Sequence, residues 1–237
     1  MIPIINFSHI LKTAERLKKI HSFVQVGSHD GIMHDPLHTF IKHNKWKGIL
    51  IEPQKLYFDK LKLYYKKRPN LFFINKAVHP SKKKLTLFKV KNANDYSHTG
   101  WASVHPERFK NTEYEHQTET EEVEACTLME AIESCKITSL DLLQIDTEGF
   151  DFEIIKMLDF KKITPLIIHY EHIHLSNKDK KKAGILLNMN EFFSFKSKND
   201  TIALSKKLIT PQFIITYIFV RLSDTIRSRI KIFRFLK

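Results

Sequence analysis

The stretch FVQVGSHDG, residues 23–31, decides the fold, because it joins a short apolar strand directly to a turn bounded by Gly27 and Gly31. A glycine turn lets the backbone approach a ligand closely, and the helix that follows such a turn presents free N–H groups. The spacing Gly-x-x-x-Gly differs from the Gly-x-Gly-x-x-Gly of dinucleotide-binding proteins. It favours a ligand without a pyrophosphate, although an incidental glycine turn explains this stretch alone equally well.

Strand and helix patterns alternate outward from this stretch. Such alternation predicts an α/β fold with a largely parallel sheet and helices on both of its faces. The helix at residues 55–66 reads as amphipathic, with Leu56, Leu61 and Leu63 among its apolar positions. The predicted strands are residues 23–26, 48–52, 71–75, 85–90, 121–125, 140–146, 165–170, 192–196 and 201–204, of which the last two form a hairpin, and the other predicted helices are residues 35–42, 127–134, 150–158 and 179–189.

The composition is that of an ordinary globular chain with a basic surplus. Of 237 residues, 42% are hydrophobic and 27% charged, which excludes intrinsic disorder as the general state. The formal net charge is +13, and such a surplus favours anionic partners. Cys126 and Cys135 are too few for a disulfide framework and lack zinc-ligand spacing, so we expect reduced thiols in a cytoplasmic protein. We find no signal-peptide pattern in residues 1–20.

An acidic residue closes the second predicted strand. Glu52 follows the glycine turn by about twenty residues, and in Rossmann-like folds a carboxylate at this position accepts hydrogen bonds from ribose hydroxyls. A solvated acid at a strand end is the alternative when Glu52 is taken alone. The turn and the acid together favour a cofactor that contains a nucleoside.

The stretch LLQIDTEGFD, residues 142–151, delivers Asp146 and Glu148 to the end of the fourth parallel strand. Ligands bind at the carboxyl edge of open α/β sheets, so both acids are candidate catalytic residues. The alternative is that an acid or Thr147 caps the following helix by accepting its free N–H groups. Capping accounts for one acid and leaves the second unexplained.

The fifth parallel strand ends in HYEHIH, residues 169–174. Strand alternation predicts His169 and Glu171 on one face, with His172 and His174 on the other. Glu171 or His172 could deprotonate an acceptor hydroxyl, which makes both candidate catalytic residues. Two alternatives stay open: these residues only line the pocket, or Asp146 joins Glu171 or His172 around a hard cation. We predict no metal.

A long polar loop, residues 91–120, lacks clear periodicity. A loop of that length in a compact domain is either functional or disordered. His98, Trp101 and His105 could line an acceptor pocket, where an aromatic ring such as that of Trp101 suits stacking on a sugar. The alternative is that the tryptophan only anchors the loop.

Four motifs in order give the chain a resemblance to a known family. They are QVGSHDG at residues 25–31, LIEP at 50–53, NKAV at 75–78 and QIDTEG at 144–149, and together they are similar to the motifs of FkbM-type methyltransferases. The resemblance extends over about residues 22–204, and its Asp-x-Glu-Gly element is the most specific part. Two departures are Gln25, where many related enzymes carry an acid, and the pair Ser28-His29, which replaces smaller residues.

This resemblance implies a class I methyltransferase fold, which is Rossmann-like, and S-adenosyl-L-methionine as cofactor. It also implies a hydroxyl acceptor on a sugar or another small-molecule scaffold. By the same analogy, glycines of the turn line the methionine portion, Glu52 holds the ribose, and residues 75–77 lie near the adenine. The full set of cofactor-binding residues that we predict is Gly27, Ser28, Asp30, Gly31, Glu52, Pro53, Asn75 and Ala77.

The two ends of the chain are predicted to be separate segments. We expect an N-terminal helical segment at 1–20, a methyltransferase domain at 21–205, and a basic amphipathic tail at 206–237. Apolar residues recur in the tail at spacings of three or four, which is typical of a helix that lies on an anionic membrane. A helix that packs on the core shows the same periodicity. The eight basic residues of the tail are Lys206, Lys207, Arg221, Arg227, Arg229, Lys231, Arg234 and Lys237.

These observations predict an enzyme that methylates a hydroxyl oxygen of a glycan or small molecule. The basic surplus keeps a second class open, a nucleic-acid methyltransferase or nucleic-acid-binding protein. The tail keeps a third class open, a membrane-associated module without catalysis. The predicted location is cytoplasmic, possibly at the membrane periphery.

Overall fold

The computed structural model describes residues 5–91 and 96–235, without the side chains of Ser97 and residues 226–235. Seven α-helices lie in these ranges: α1 Phe7–Arg16, α2 His38–His43, α3 Lys55–Tyr64, α4 Leu128–Ser134, α5 Asp151–Met157, α6 Asn177–Met189 and α7 Pro211–Phe235. The ten described strands are β1 Ser22–Val26, β2 Lys47–Ile51, β3 Leu71–Ile74, β4 Ala77–Val78, β5 Lys84–Val90, β6 Thr118–Cys126, β7 Leu142–Ile145, β8 Ile167–Glu171, β9 Phe192–Lys196 and β10 Asp200–Ser205.

Seven strands form one sheet in the order β3-β2-β1-β7-β8-β10-β9. The first five are parallel, and β10 pairs antiparallel with both β8 and β9. This is the predicted class I methyltransferase fold, with its mostly parallel sheet and C-terminal antiparallel hairpin. The chain order reverses between β1 and β7, so the carboxyl ends of these two strands flank the crevice where ligands bind in open α/β sheets.

Helices cover both faces of the sheet, as the alternation predicted. Alternate residues of the parallel strands are buried on opposite sides, so that Val24 packs with residues of α4, α5 and α6, whereas Phe23 packs with residues of α1, α2 and α3. Gly48 on β2 is required where Phe23 crosses it, because a Cβ atom there would lie 2.0 Å from the Phe23 ring. Burial of both sheet faces explains why β1, β2 and β7 read as continuous apolar runs.

A second sheet of three strands, β4-β6-β5, stands beside the main sheet. The antiparallel pair of β5 and β6 confirms the added strand pair, and each strand is longer than predicted. Between them, the described part of the polar loop contains two short 3₁₀ helices, Tyr96–Gly100 and Pro106–Phe109. Phe109 and Tyr114 are buried, so this part of the loop has a small core of its own.

Two helices differ from the sequence predictions. Helix α2 begins at His38 and not at Asp35, because the Asp35 carboxylate accepts from the backbone N–H of Leu37 and from the side chain of Gln25, and residues 36–37 form a turn. In α3, Leu61 is buried, but Leu56 and Leu63 are 61% and 65% exposed. The buried face of α3 consists of Tyr57, Phe58 and Leu61, at positions i, i+1 and i+4.

Helices α1 and α7 pack together against the main sheet. Phe7, Ile10 and Leu11 of α1 and Phe213 of α7 belong to the same buried cluster as residues of β1 and β2. The opposite face of α7 is exposed. The predicted stripe continues through Ile226, Ile230 and Phe233, and its basic residues Arg227, Arg229, Lys231, Arg234 and Lys237 likewise lie outside the described side chains. Within the described residues, we find no helix that is both long enough and apolar enough to cross a membrane.

Candidate active site

A cavity of about 490 Å³ opens at the carboxyl edge of the main sheet. The glycine turn after β1 and the residues after β2 line one end. The ends of β7 and β8 and loop residues 100–102 and 104 line the other. The predicted site residues that line the cavity are Gly27, Ser28, Glu52, Pro53, Ala77, Asp146, Glu148 and Glu171.

Gly27 allows β1 to turn past the end of β7. Its φ is +80°, which is in the left-handed region that favours glycine. A Cβ atom there would lie 1.8 Å from the backbone oxygen of Asp146. The Gly27 N–H donates to the Ile51 carbonyl at 3.0 Å, so the turn also ties β1 to β2. The backbone is therefore held directly against the cavity at the point where the motif predicted close approach to a ligand.

Glu52 is buried at the cavity wall with only 3% of its surface exposed. One carboxylate oxygen accepts from the His29 N–H and the other from the Gln54 N–H, each at 2.8 Å. Burial raises the pKa of Glu52 to about 7, and these two hydrogen bonds oppose the rise. Each carboxylate oxygen can accept a further hydrogen bond, which a pair of ribose hydroxyls would supply.

Gln25 and Asp35 form a pair that the sequence analysis missed. The Gln25 side-chain amide donates to Asp35 Oδ1 at 2.9 Å, and both residues line the cavity. Gln25 Oε1 and Asp35 Oδ2 are buried atoms without a hydrogen-bond partner in the described part of the chain. Burial raises the pKa of Asp35 to about 6. The pair offers two acceptor oxygens and restores the acid that Gln25 replaces in the family motif.

Four predicted cofactor or catalytic residues do not line the cavity. The carboxylate of Asp30 accepts from the N–H groups of Ile32 and Met33 and from the Tyr96 hydroxyl. Gly31 faces α3, where its carbonyl accepts from the Tyr65 hydroxyl. We therefore assign both residues to shaping the turn, and the other two are Asn75 and His172.

Asn75 supports the cavity wall from behind. Its side-chain amide donates to the carbonyls of Glu52 and Pro53, both at 2.9 Å. A short strand end places the side chain beneath the turn after β2 and away from the cavity. Asn75 therefore positions Glu52, whereas Ala77, two residues later, lines the cavity as predicted.

The far end of the cavity is lined by the carboxylates of Asp146, Glu148, Glu171 and Asp200. Asp146 is exposed toward this end, yet loss of bulk solvent and the charge of Glu148 raise its pKa well above the usual range. Burial also raises the pKa of Glu171 to about 9, and Asp146 adds to that shift. Glu171 Oε2 is buried and has no hydrogen-bond partner among the described residues. Converging carboxylates with raised pKa values are typical of sites that accept protons or bind cations.

Helix capping does not explain the acidic pair. The N-cap residue of α5 is Phe150, and its side chain makes no capping hydrogen bond. Thr147 Oγ1 instead donates to Asp151 Oδ2 at 2.9 Å, and Asp151 Oδ1 accepts from the Glu171 N–H at 3.2 Å. Asp146 and Glu148 are therefore not engaged in beginning the helix.

Arg108 is a site residue that no sequence motif indicated. Its Nε lies 2.7 Å from Glu148 Oε2, and both side chains are nearly buried, with 10% and 13% exposed. The guanidinium group also lies 4.6 Å from the centre of the Trp101 ring. Ser103 Oγ donates to the Glu148 carbonyl at 3.0 Å. The polar loop is thus fastened to the end of β7, and Trp101 lines the cavity while also anchoring the loop.

The histidines after β8 do not follow the predicted alternation. The strand ends at Glu171, and residues 173–175 turn back, because the N–H groups of His172 and Ile173 both donate to the Asn199 carbonyl. His174 Nε2 consequently lies 3.4 Å from Glu148 and 3.7 Å from Glu171, and ligand atoms of these three residues are close enough to hold a metal ion. His172 Nδ1 lies 3.0 Å from Thr201 Oγ1 instead.

The remaining candidate histidines serve the walls of the site. His169 Nδ1 lies 2.6 Å from Gln144 Oε1, its ring stacks on Phe7 at 3.8 Å, and burial lowers its pKa to about 3. It is therefore neutral. His98 and His105 are absent from the cavity lining, so the aromatic part of the predicted acceptor pocket consists of Trp101 alone among these three.

The donor and acceptor groups around the cavity fit S-adenosylmethionine. Its ribose hydroxyls match the buried carboxylate of Glu52, and its ammonium group matches the unpartnered oxygens of Gln25 and Asp35. A cationic cofactor also suits a cavity whose other end carries four carboxylates.

Comparisons with known proteins agree with the family resemblance. A model of the methyltransferase FkbM domain matches residues 25–202. No curated protein sequence is significantly similar to the chain.

Solved structures of low similarity include three methyltransferase structures. Precorrin-6y C5,15-methyltransferase from Geobacter metallireducens is 11% identical, with a TM-score of 0.43 over 83% of this chain and 87% of that chain. A human methyltransferase 10 domain containing protein is 10% identical, with a TM-score of 0.44 over 86% and 85%. The N-terminal domain of human METTL16 in complex with SAH is 10% identical, with a TM-score of 0.44 over 86% and 72%.

The family match includes the glycine turn, Glu52, and the strand ends that carry Asp146 and Glu171. The chain therefore belongs to the FkbM methyltransferase domain family, and its cofactor is S-adenosylmethionine.

Proposed function

We propose that the enzyme transfers the methyl group to a hydroxyl oxygen of a glycan or another small-molecule scaffold. The observation that carries this proposal is Glu171, whose buried Oε2 has no hydrogen-bond partner among the described residues and whose pKa is raised to about 9. A carboxylate with a raised pKa is a strong proton acceptor once it is ionised. A hydroxyl acceptor must lose its proton during methyl transfer, so it needs such a group.

The end of the cavity at β1 and β2 holds the cofactor in this proposal. Glu52 accepts from the ribose hydroxyls, and Gln25 and Asp35 accept from the ammonium group. When bound, S-adenosylmethionine supplies an electrophilic methyl group on a positively charged sulfonium. The main task of the chain is then to align the acceptor oxygen with that methyl group, because alignment removes most of the entropic cost of a bimolecular reaction.

The end at β7 and β8 receives the acceptor. Asp146 and Glu171 are placed to accept a hydrogen bond from the hydroxyl group and to take its proton. Glu148 is held by Arg108 and keeps the loop closed against the strand ends. The ring of Trp101 forms an apolar wall in this part of the cavity, and an aromatic face of this kind suits the C–H surface of a sugar.

The charge of the cavity disfavours nucleic acid as the acceptor. The overall charge of +13 attracts phosphates, but four carboxylates line the acceptor end, where a phosphate would be repelled. We therefore rank a glycan or a small-molecule hydroxyl above a nucleotide. The cytoplasmic location stays a prediction from the sequence.

Methyl transfer across a panel of hydroxyl acceptors tests this proposal. We expect Glu171→Gln to reduce the rate of transfer by about 10²-fold or more, with unchanged affinity for S-adenosylhomocysteine, since proton transfer by a positioned group contributes on this scale. The matched control is Glu133→Gln, a side chain that is 62% exposed and distant from the cavity lining. Equal rates for both variants would refute the role of Glu171, and transfer only to amines would refute the hydroxyl acceptor.

The same assay tests whether a metal is needed. Glu148, Glu171 and His174 could hold a cation, and Arg108 already neutralises one of them. We expect methyl transfer to persist after treatment with a strong chelator. Loss of transfer that returns on addition of Mg²⁺ or Mn²⁺ would instead favour the cation at this cluster.

A further inference from the structure

Helix α7 carries an exposed apolar face, which we call the α7 face. It consists of Ile214, Ile215, Ile218, Phe219 and Leu222, and between 47% and 68% of each residue is exposed. Their spacing of three, four and seven residues places them together on one side of the helix. A contiguous exposed apolar patch on a protein surface marks an interaction site, whereas single exposed apolar residues do not.

The α7 face is not needed to attach the helix to the domain. Phe213 and Val220 on the opposite side are 3% and 5% exposed, and Tyr217 packs against the same buried cluster as Phe213. Asp224 pairs with His9 and Lys12 of α1, which fixes the next turn. The helix therefore has one side in the core and a second apolar side without a partner in the described structure.

Positive charge surrounds the α7 face. Arg221 lies on the same helix, and the Arg16 guanidinium of α1 lies 4.9 Å from the centre of the Phe219 ring. Beyond Asp224 the sequence contains five basic residues and no acidic residue up to its end at Lys237. Apolar side chains flanked by cations of one sign complement a surface that is apolar inside and anionic outside.

We propose that the α7 face binds the surface of a bilayer that contains anionic lipid. The helix would lie in the plane of the interface, with the five apolar side chains among the acyl chains and the basic residues at the headgroups. A lipid surface fits better than a second copy of this chain, because two copies would bring the same cations together. This inference does not depend on the identity of the methyl acceptor.

Vesicle sedimentation with the full-length protein tests the proposal. The probes are vesicles of phosphatidylcholine alone and vesicles that also contain phosphatidylglycerol. We expect the partition coefficient to be about tenfold or more higher with the anionic vesicles and to fall as salt is added, since headgroup attraction is screened. Equal partition into both kinds of vesicle, or into neither, would refute the proposal.

Matched variants separate the α7 face from general surface effects. Ile215→Glu with Phe219→Glu should lower partition into anionic vesicles by about tenfold or more, because two charges would enter the apolar interface. Leu56→Glu with Leu63→Glu on α3 introduces the same charges at residues that are 61% and 65% exposed, and should lower it far less. Equal loss in both double variants would overturn the proposal.

Folding and self-association are controlled in the same samples. Both double variants should keep wild-type affinity for S-adenosylhomocysteine, because neither pair of residues lines the cavity. If the α7 variant loses that affinity, Ile215→Gln alone gives the milder comparison, and full vesicle binding by this variant with full binding at high salt would count against the proposal. Concentration-dependent dimers that the α7 variant abolishes, without vesicle binding by the wild type, would assign the face to a second copy instead.

Discussion

Replacement of Glu52 by glutamine should weaken cofactor binding without unfolding the protein. The carboxylate is 3% exposed and accepts from two backbone N–H groups at 2.8 Å, so its position is rigid. Glutamine keeps one acceptor oxygen but loses the charge that strengthens hydrogen bonds to the ribose. Charge-assisted hydrogen bonds contribute about 1.5–3 kcal/mol, so we expect affinity for S-adenosylhomocysteine to fall about 10- to 150-fold.

The pH dependence of binding gives the same prediction a second readout. The pKa of Glu52 is raised to about 7, so the ionised acceptor dominates above pH 7 and is lost as the pH falls through 7. Between about pH 8 and about pH 6, affinity should therefore fall about tenfold. Asp35, with its pKa raised to about 6, should contribute about a further twofold. In Glu52→Gln only this smaller dependence should remain.

Calorimetry with S-adenosylhomocysteine measures both effects, and thermal melting shows whether the variant is folded. The glutamine amide group must face one backbone N–H, so a modest loss of stability is expected in addition. Glu133→Gln serves as the control for removing a carboxylate elsewhere. Wild-type affinity in a folded Glu52→Gln variant, or binding by the wild type that is independent of pH, would refute the assignment of Glu52 to the ribose.

Three further predictions concern other parts of the site. Asp146→Asn should keep a cooperative melt, because it removes repulsion among carboxylates, and should lower methyl transfer about 10²-fold or more; an early melt with normal activity would contradict this. Arg108→Met should destabilise the fold by about 3 kcal/mol or more by leaving Glu148 unpaired, and adding Glu148→Gln should recover most of that loss in denaturant unfolding. Gly27→Ala should lower stability by about 3 kcal/mol or more, whereas Gly184→Ala, where no atom lies within 4 Å, should raise it by about 0.5–1 kcal/mol.

The fold could be predicted because its signals are local. The parallel strands read as short apolar runs, and glycine or acidic residues mark their ends, so the order of elements and the edge that binds ligands follow from the sequence. Helix α3 shows the limit of periodicity, because it has apolar residues on more than one side. Tyr57, Phe58 and Leu61 are buried, while Leu56 and Leu63 face outward.

The site was predictable only where a strand end determined it. Glu52, Asp146 and Glu171 directly follow or end strands, and all three line the cavity. Arg108 reaches Glu148 from a loop 40 residues away, and no local pattern indicates such a tertiary contact.

Two other differences arise where one contact changes the local backbone. Asp35 was assigned to a helix start, but its carboxylate binds Gln25 instead. The alternation beyond β8 predicted the wrong side for His174, because the chain turns once the strand ends at Glu171. In both places a contact between elements overrides the local preference, which a single sequence does not reveal.

Transfer of a deuterated methyl group from S-adenosylmethionine tests the central claim most directly. The protein would be incubated with a panel of glycans, small hydroxyl compounds, amines and RNA, and the labelled atom in each product would be located by mass spectrometry. The account predicts label on a hydroxyl oxygen of a glycan or small molecule with the wild type, and about 10²-fold less label with Asp146→Asn and with Glu171→Gln. Label only on nitrogen or on RNA, or equal labelling by all three proteins, would contradict it.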